Sequence, residues 1–254
     1  MSDHTSFAHD GKVYIAGGYD QDYTVASSTV VALGESDGML TYMEAPNLDV
    51  GRGDIHSAVS EDGKSVYIAG GFNPDVGFWC TPLNSVERLD FGSSKWVTLP
   101  NLITERAEVV LVDVANNLYA LGGEQPLNVE ACLAQDYIDP GELTMATDFV
   151  EFLDEPDDDD DETKWVELLQ YPEDMFRFAA VGVKDQGLIY AFGGQKAFDP
   201  ECGCQDGSNS VFIFGEKENV EAVGTVLFES SGSTMLSLVP TFFVGALSFA
   251  YAYL

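Results

Sequence analysis

The 254-residue chain carries 11 Lys and Arg against 43 Asp and Glu, a formal net charge of −32, with 45% hydrophobic and 12% aromatic residues. The hydrophobic and aromatic content is ordinary for a folded protein and argues against disorder throughout. The charge disfavours a nucleic-acid partner, which needs cationic contacts to phosphate, and leaves cations, basic proteins or solubility as its uses.

Four stretches echo one another: Tyr14 to Gly18 (YIAGG), Tyr67 to Gly71 (YIAGG), Tyr119 to Gly123 (YALGG) and Tyr190 to Gly194 (YAFGG). In each, a tyrosine stands three residues before a Gly-Gly pair, and the first glycines, Gly17, Gly70, Gly122 and Gly193, are separated by 53, 52 and 71 residues. A period near fifty residues is the signature of a repeat architecture.

The first repeat runs from Ser2 to Asn47. Val13 to Ala16, Ser28 to Leu33 and Met39 to Met43 read as strands, with a turn at Gly34 to Gly38. The second opens at Arg52, six residues after Pro46, and turns at Glu61 to Lys64. It reaches Gly70-Gly71, then continues through strands at Ser85 to Asp90 and Lys95 to Leu99, the latter with Trp96. Pro100-Asn101-Leu102 closes it as Pro46-Asn47-Leu48 closes the first. The third opens at Arg106, six residues after Pro100, with strands at Val109 to Val114, Leu118 to Leu121, Phe149 to Leu153 and Trp165 to Leu169, so that Trp165 repeats the part of Trp96. Its extra length lies in two insertions, Glu124 to Asp148 and the acidic run Asp154 to Glu162, since loop closure entropy grows only slowly with length. The fourth holds Arg177, strands at Ala179 to Val183, Leu188 to Phe192 and Ser210 to Phe214, and a last strand at Val220 to Phe228.

Four strands per repeat, with a tyrosine and Gly-Gly after the second and a tryptophan near the fourth, resemble the kelch family over Ser2 to about Phe228. The resemblance implies an all-β fold, a kelch-type β-propeller of four-stranded blades of which four are visible, spanning residues 1–229. The glycines permit positive φ and close backbone approach, and the aromatic rings supply buried area between blades. Counting back from Gly17 to where later repeats open reaches Met1 or just before it, so upstream blades and a leader are expected beyond the start.

The four cysteines share one loop of successive repeats: Cys80 and Cys132 each lie nine residues after a Gly-Gly pair, and Cys202 and Cys204 eight and ten after Gly194. Equivalent loops of neighbouring blades emerge on one face, so a clamp from Cys80 to Cys132 is the simplest pairing, with Cys202 and Cys204 joined to each other or elsewhere. A four-thiolate zinc site and free thiols are the alternatives. The acidic run reads as a solvated loop, with loose calcium binding as its alternative. Arg52-Gly53-Asp54 spells the tripeptide read by integrins, but Arg52 is first a repeat-opening residue. For Arg52, Arg106 and Arg177 two readings stand: inter-blade salt bridges, or a ring facing an anionic ligand. His4, His9 and His56 have no metal-ligand spacing, and no nucleophile elbow or phosphate loop is present, so no catalytic residue, metal or cofactor is expected.

The last twenty residues, Met235 to Leu254, carry no charge and are long enough to span a bilayer as a helix. Residues 230–254 are therefore expected to be a hydrophobic C-terminal membrane segment or glycolipid-anchor signal. The corresponding placement is the cell surface, or the cytosolic face for a tail-anchored protein. The function implied is a non-catalytic module for a protein or carbohydrate ligand; the alternatives are a fragment of a kelch-propeller enzyme, an oxidase or sugar-acting one, and a cytosolic adaptor.

Overall fold

The computed structural model describes residues 2–76, 80–134, 144–155, 162–168, 170–199 and 201–215, with the backbone of three further strands beyond residue 227. The first blade is an antiparallel sheet of β1 (Thr5–His9), β2 (Lys12–Ala16), β3 (Val30–Ser36) and β4 (Met39–Glu44), in that order. Its hairpins turn on Asp10-Gly11 and Asp37-Gly38, all four residues at positive φ, which is the backbone that a tight hairpin on a right-twisted ribbon requires. The strand β1 was not anticipated from its mixed sequence, although the Asp-Gly pair after it is a hairpin signal.

The second blade repeats the order with β5 (Ser57–Val59), β6 (Ser65–Ala69), β7 (Val86–Asp90) and β8 (Val97–Leu99). In the third, β9 (Val110–Val114) and β10 (Asn117–Leu121) are followed by the first insertion. That insertion contains β11 (Glu124–Pro126), the short helix α1 (Val129–Ala134) and β12 (Thr144–Ala146) before β13 (Val150–Asp154) and β14 (Lys164–Glu167) complete the blade. The fourth has β15 (Ala179–Val183) and β16 (Leu188–Phe192), then a hairpin of β17 (Gln195–Asp199) and β18 (Cys204–Gly207), then β19 (Ser210–Gly215). The centre of the acidic run, 156–161, lies outside the described residues, as does nearly all of the strand expected at Val220 to Phe228.

The C-terminal helix is a correction. Short strands β20 (Phe228–Ser230), β21 (Ser233–Leu238) and β22 (Ser248–Tyr253) join the fourth sheet, β22 running parallel to β19. Among the described residues no helix is long and apolar enough to cross a membrane. The sequence of β22, SFAYAY, alternates aromatic and small residues with a period of two, which suits a strand better than a helix.

Blades stack through apolar faces. The inner strands β1, β5, β9 and β15 lie side by side in chain order. Phe7, Ala16 and Val30 pack on Ile55, Val66 and Ile68; Ala58, Tyr67 and Ala69 on Val109, Leu111 and Leu118; Val112 and Leu121 on Phe178, Ile189 and Phe212. Trp96 and Trp165 each fasten their blade to the one before: Trp96 Nε1 donates to the Pro46 carbonyl at 2.8 Å and Trp165 Nε1 to Pro100 at 2.9 Å. The recurrent proline thus ends a blade and supplies the acceptor for the next.

The first three Gly-Gly pairs stand where the following blade begins. Gly18 N–H donates to Arg52 O, Gly71 to Arg106 O and Gly123 to Met175 O, at 2.8–3.0 Å. All eight motif glycines, Gly17, Gly18, Gly70, Gly71, Gly122, Gly123, Gly193 and Gly194, have positive φ. A Cβ on Gly17 or Gly122 would stand 2.5 Å from the crossing carbonyl, so both conformation and space exclude a side chain.

Candidate functional site

Arg52 and Arg106 are fully buried and play one structural part. Arg52 donates through Nη1 to the carbonyls of Gly70 (2.8 Å) and Ser85 (2.9 Å), and through Nη2 to Ser85 Oγ (2.8 Å) and Glu87 Oε1 (2.7 Å). Arg106 repeats this toward Gly122, Phe149 and Glu151. The glutamates also grip the chain between blades: Glu87 accepts from Asp49 and Val50 N–H, Glu151 from Ile103 and Thr104 N–H. A guanidinium with no exposed surface, held by carbonyl and carboxylate acceptors of the protein itself, cannot face a ligand, so the anion-ring reading fails for Arg52 and Arg106. The integrin-type reading fails with it, because Arg52 is 0% and Asp54 7% exposed.

Arg177 is not their counterpart. The residue whose carbonyl receives the Gly123 N–H is Met175, so Met175 holds the fourth blade's opening position and Arg177 falls two residues later. Two residues after each opening stand Asp3, Asp54, Glu108 and Arg177, and all four have left-handed φ, between 51 and 53°. Non-glycine residues in this region are strained, and such strain gathers where side chains are held for a task. Consecutive members are linked through backbone: Asp54 N–H donates to Asp3 O at 3.0 Å and Glu108 N–H to Asp54 O at 2.9 Å. Just before them, Ser2, Gly53, Ala107 and Phe176 pair with Tyr19, Phe72, Glu124 and Gln195, the residues immediately after each Gly-Gly. One backbone device, repeated four times, thus brings two side-chain positions per blade together at the inner end of the sheets.

The cluster it assembles joins Tyr19, Asp54, His56, Glu108, Glu124, Arg177 and Gln195. Tyr19 Oη donates to Asp54 Oδ2 at 2.9 Å, with its ring lying where a side chain on residue 53 would be; Gly53 leaves that room. Glu108 receives Arg177 Nε at 2.8 Å on Oε1 and lies 3.6 Å from His56 Nε2 through Oε2. Arg177 Nη1 reaches Gln195 Oε1 at 3.3 Å. Asp54, Glu108 and Glu124 are buried, whereas the side chains of Arg177 and His56 are 48% and 37% exposed and form the solvent edge.

Three carboxylates this close cannot all ionise cheaply. Burial first, then the charge of Glu108, pushes Asp54 up to about 8 despite the bond from Tyr19. Burial and Glu108 likewise push Glu124 up to about 7. On Glu108 burial acts upward, but His56 and Arg177 outweigh it and hold the acid below its ordinary value. The Tyr19 phenol is raised, by burial and by Asp54. At neutral pH the cluster therefore holds one firmly ionised carboxylate and two that carry exchangeable protons.

Among these, sequence reasoning offered only Arg177 as a candidate for a ligand-facing ring, and in the wrong register; Asp54 and His56 were considered in other connections and set aside. Aligning the apolar residue three places after each opening, Ile55, Val109 and Phe178, places Met175 correctly and brings Asp54, Glu108 and Arg177 into one column. The motif tyrosines and tryptophans, Tyr14, Tyr67, Tyr119, Tyr190, Trp96 and Trp165, sit in or against the blade sheets, outside this cluster. Both disulfides are formed: Cys80–Cys132 joins the loops of the second and third blades with Cα atoms 5.5 Å apart, and Cys202–Cys204 closes within one loop.

Comparison with known proteins gives a kelch motif over residues 56–103, which covers most of the second blade and its connection to the third. No curated protein matches the chain. Among solved structures, one described as "Structure of YjhT" is similar with a TM-score of 0.59 at 16% identity, over 84% of this chain and 68% of the other. At that identity the likeness concerns the fold.

Proposed function

We propose that this chain, a kelch-repeat propeller protein, is a binding module that receives a cationic group of a partner protein at the carboxylate cluster of Asp54, Glu108 and Glu124. The observation that carries the reading is the convergence of these buried acids on left-handed or bridge-paired backbone at the inner ends of successive blades. Functional side chains on loops held by a rigid scaffold are the usual arrangement in such folds. A lysine or arginine side chain supplies the charge that would let Asp54 and Glu124 ionise, and the net charge of −32 draws basic partners from a distance. A protein ligand fits this better than a neutral carbohydrate. The test is capture on arrays of lysine-rich, neutral and glutamate-rich peptides, with Glu124→Gln beside the wild type. Selective retention of the basic peptides, weakened in the variant, supports the reading; equal retention of all three classes contradicts it.

A second reading, acid–base catalysis at the same cluster, is favoured by two carboxyl groups titrating near neutrality beside a tyrosine. Under it Asp54→Asn abolishes turnover of a bound ligand and leaves affinity nearly intact. Attachment at a membrane surface rests on the uncharged composition of residues 235–254 alone, and carbonate extraction of membranes tests it.

A further inference from the structure

The two disulfides differ in what they hold. Cys80 and Cys132 are 3% and 4% exposed and tie two blades together across 52 residues of chain. Cys202 and Cys204 are exposed, two residues apart, at the tip of the β17–β18 hairpin. That tip is already defined without them. Asp199 pairs with Cys204 in the strand register, Gly203 N–H donates to Asp199 O at 2.9 Å, Glu201 N–H donates to Asp199 Oδ1 at 2.8 Å, and Gly203 supplies the left-handed φ of 64°. A bridge that closes so short a segment restricts the unfolded chain little, so it adds little stability. Beside it stands exposed Asp206, and the sulfurs of Cys202 and Cys204 and a carboxylate oxygen of Asp206 all lie within 4.8 Å of one another.

We propose that the β17–β18 tip is a redox-gated site for a thiophilic divalent cation, closed as the Cys202–Cys204 disulfide and opened by a small dithiol reductant. A thiolate of the reductant attacks one sulfur of the bridge and forms a mixed disulfide. Its second thiolate then attacks the reductant's own bridging sulfur, releasing the protein dithiol and leaving the reductant as its cyclic disulfide. Two electrons and two protons pass to the protein. The cation then displaces the two thiol protons and takes Cys202 Sγ, Cys204 Sγ and one Asp206 oxygen, with water completing a four-coordinate shell. Exposure selects this bridge over Cys80–Cys132, because exchange requires in-line access of the attacking thiolate.

The test equilibrates the full chain with graded dithiothreitol; one portion is alkylated and mapped by peptide mass, and a second, left unalkylated and freed of reductant under anaerobic conditions, is titrated with Cd²⁺ while thiolate-to-metal absorption is recorded. Cys202 and Cys204 are expected to alkylate at reductant levels at least about tenfold below those needed for Cys80 and Cys132. The partly reduced protein is expected to bind one Cd²⁺ with thiolate absorption, Asp206→Asn at least about tenfold more weakly, and Cys202→Ser without the two-thiolate band. Far-ultraviolet circular dichroism is expected to stay unchanged on opening. Simultaneous or earlier opening of Cys80–Cys132, absence of the thiolate band from the dithiol form, or full affinity in Asp206→Asn overturns the proposal.

Discussion

Arg177 of the fourth blade reaches Glu108 of the third, Nε to Oε1 at 2.8 Å, and the two occupy the same left-handed position of their repeats. A position that is acidic in three blades is basic in one, and the basic member neutralises its neighbour at the solvent edge. Arg177→Gln should therefore cost about 1–3 kcal/mol, since the arginine is half exposed but leaves buried Glu108 without its closest cation. It should strengthen binding of a lysine-rich peptide, because Glu108 is freed. Denaturant unfolding and peptide titration on the same variant check both parts.

The buried arginines should matter more. Arg106→Met leaves Glu151 charged and without its main partner inside the protein, which should cost about 3–5 kcal/mol. Adding Glu151→Gln should recover part of that loss, since the amide carries no charge to strand. Urea melts of the single and double variants measure the difference.

Gly53 has no conformational need for glycine but a spatial one, as a Cβ there would stand 2.3 Å from the Tyr19 ring. Gly53→Ala should destabilise the protein by about 1–3 kcal/mol through overpacking. In a Tyr19→Ala background the same substitution should cost much less. That double-mutant cycle, read by thermal unfolding, separates crowding from backbone effects.

The pH dependence follows from two raised carboxyl groups. Asp54, at about 8 folded against 3.8, and Glu124, at about 7 against 4.5, each keep a proton in the folded state that the unfolded chain has already lost. Over that interval the native state binds more protons, so their contribution to stability falls as pH rises from about 4 to 8. Asp54→Asn should flatten this slope and stabilise the protein above pH 8 by about 1–3 kcal/mol. Glu108, held below its ordinary value, acts with the opposite sign, and its contribution is lost only in acid.

The blade framework was legible because its determinants are local and repeated. Tyr-x-x-Gly-Gly marks the crossing point of the next blade, the Pro46 and Pro100 carbonyls await the tryptophans Trp96 and Trp165, and equal offsets from the glycines brought Cys80 and Cys132 together. The carboxylate cluster was not legible, because its members are separated by whole repeats and become neighbours through long-range backbone pairing, the bridges Gly53–Phe72 and Ala107–Glu124 and the bond from Glu108 N–H to Asp54 O. Arg177 was misplaced since an arginine near the expected spacing outweighed the better-matched apolar column ending in Phe178. Lack of charge in residues 235–254 suggested a membrane helix, whereas the alternation within Ser248–Tyr253 carries the strand signal.

The central claim is that a cationic group enters the cluster and ionises it. Calorimetric titration of the protein with a lysine-rich peptide at pH 7, in buffers of different ionisation enthalpy, tests this most directly. Net proton release on binding, with affinity that rises with pH and falls with salt and a loss of at least about tenfold in Glu108→Gln, is the predicted result. Binding without proton release, unaffected by Glu108→Gln and Glu124→Gln, would contradict it.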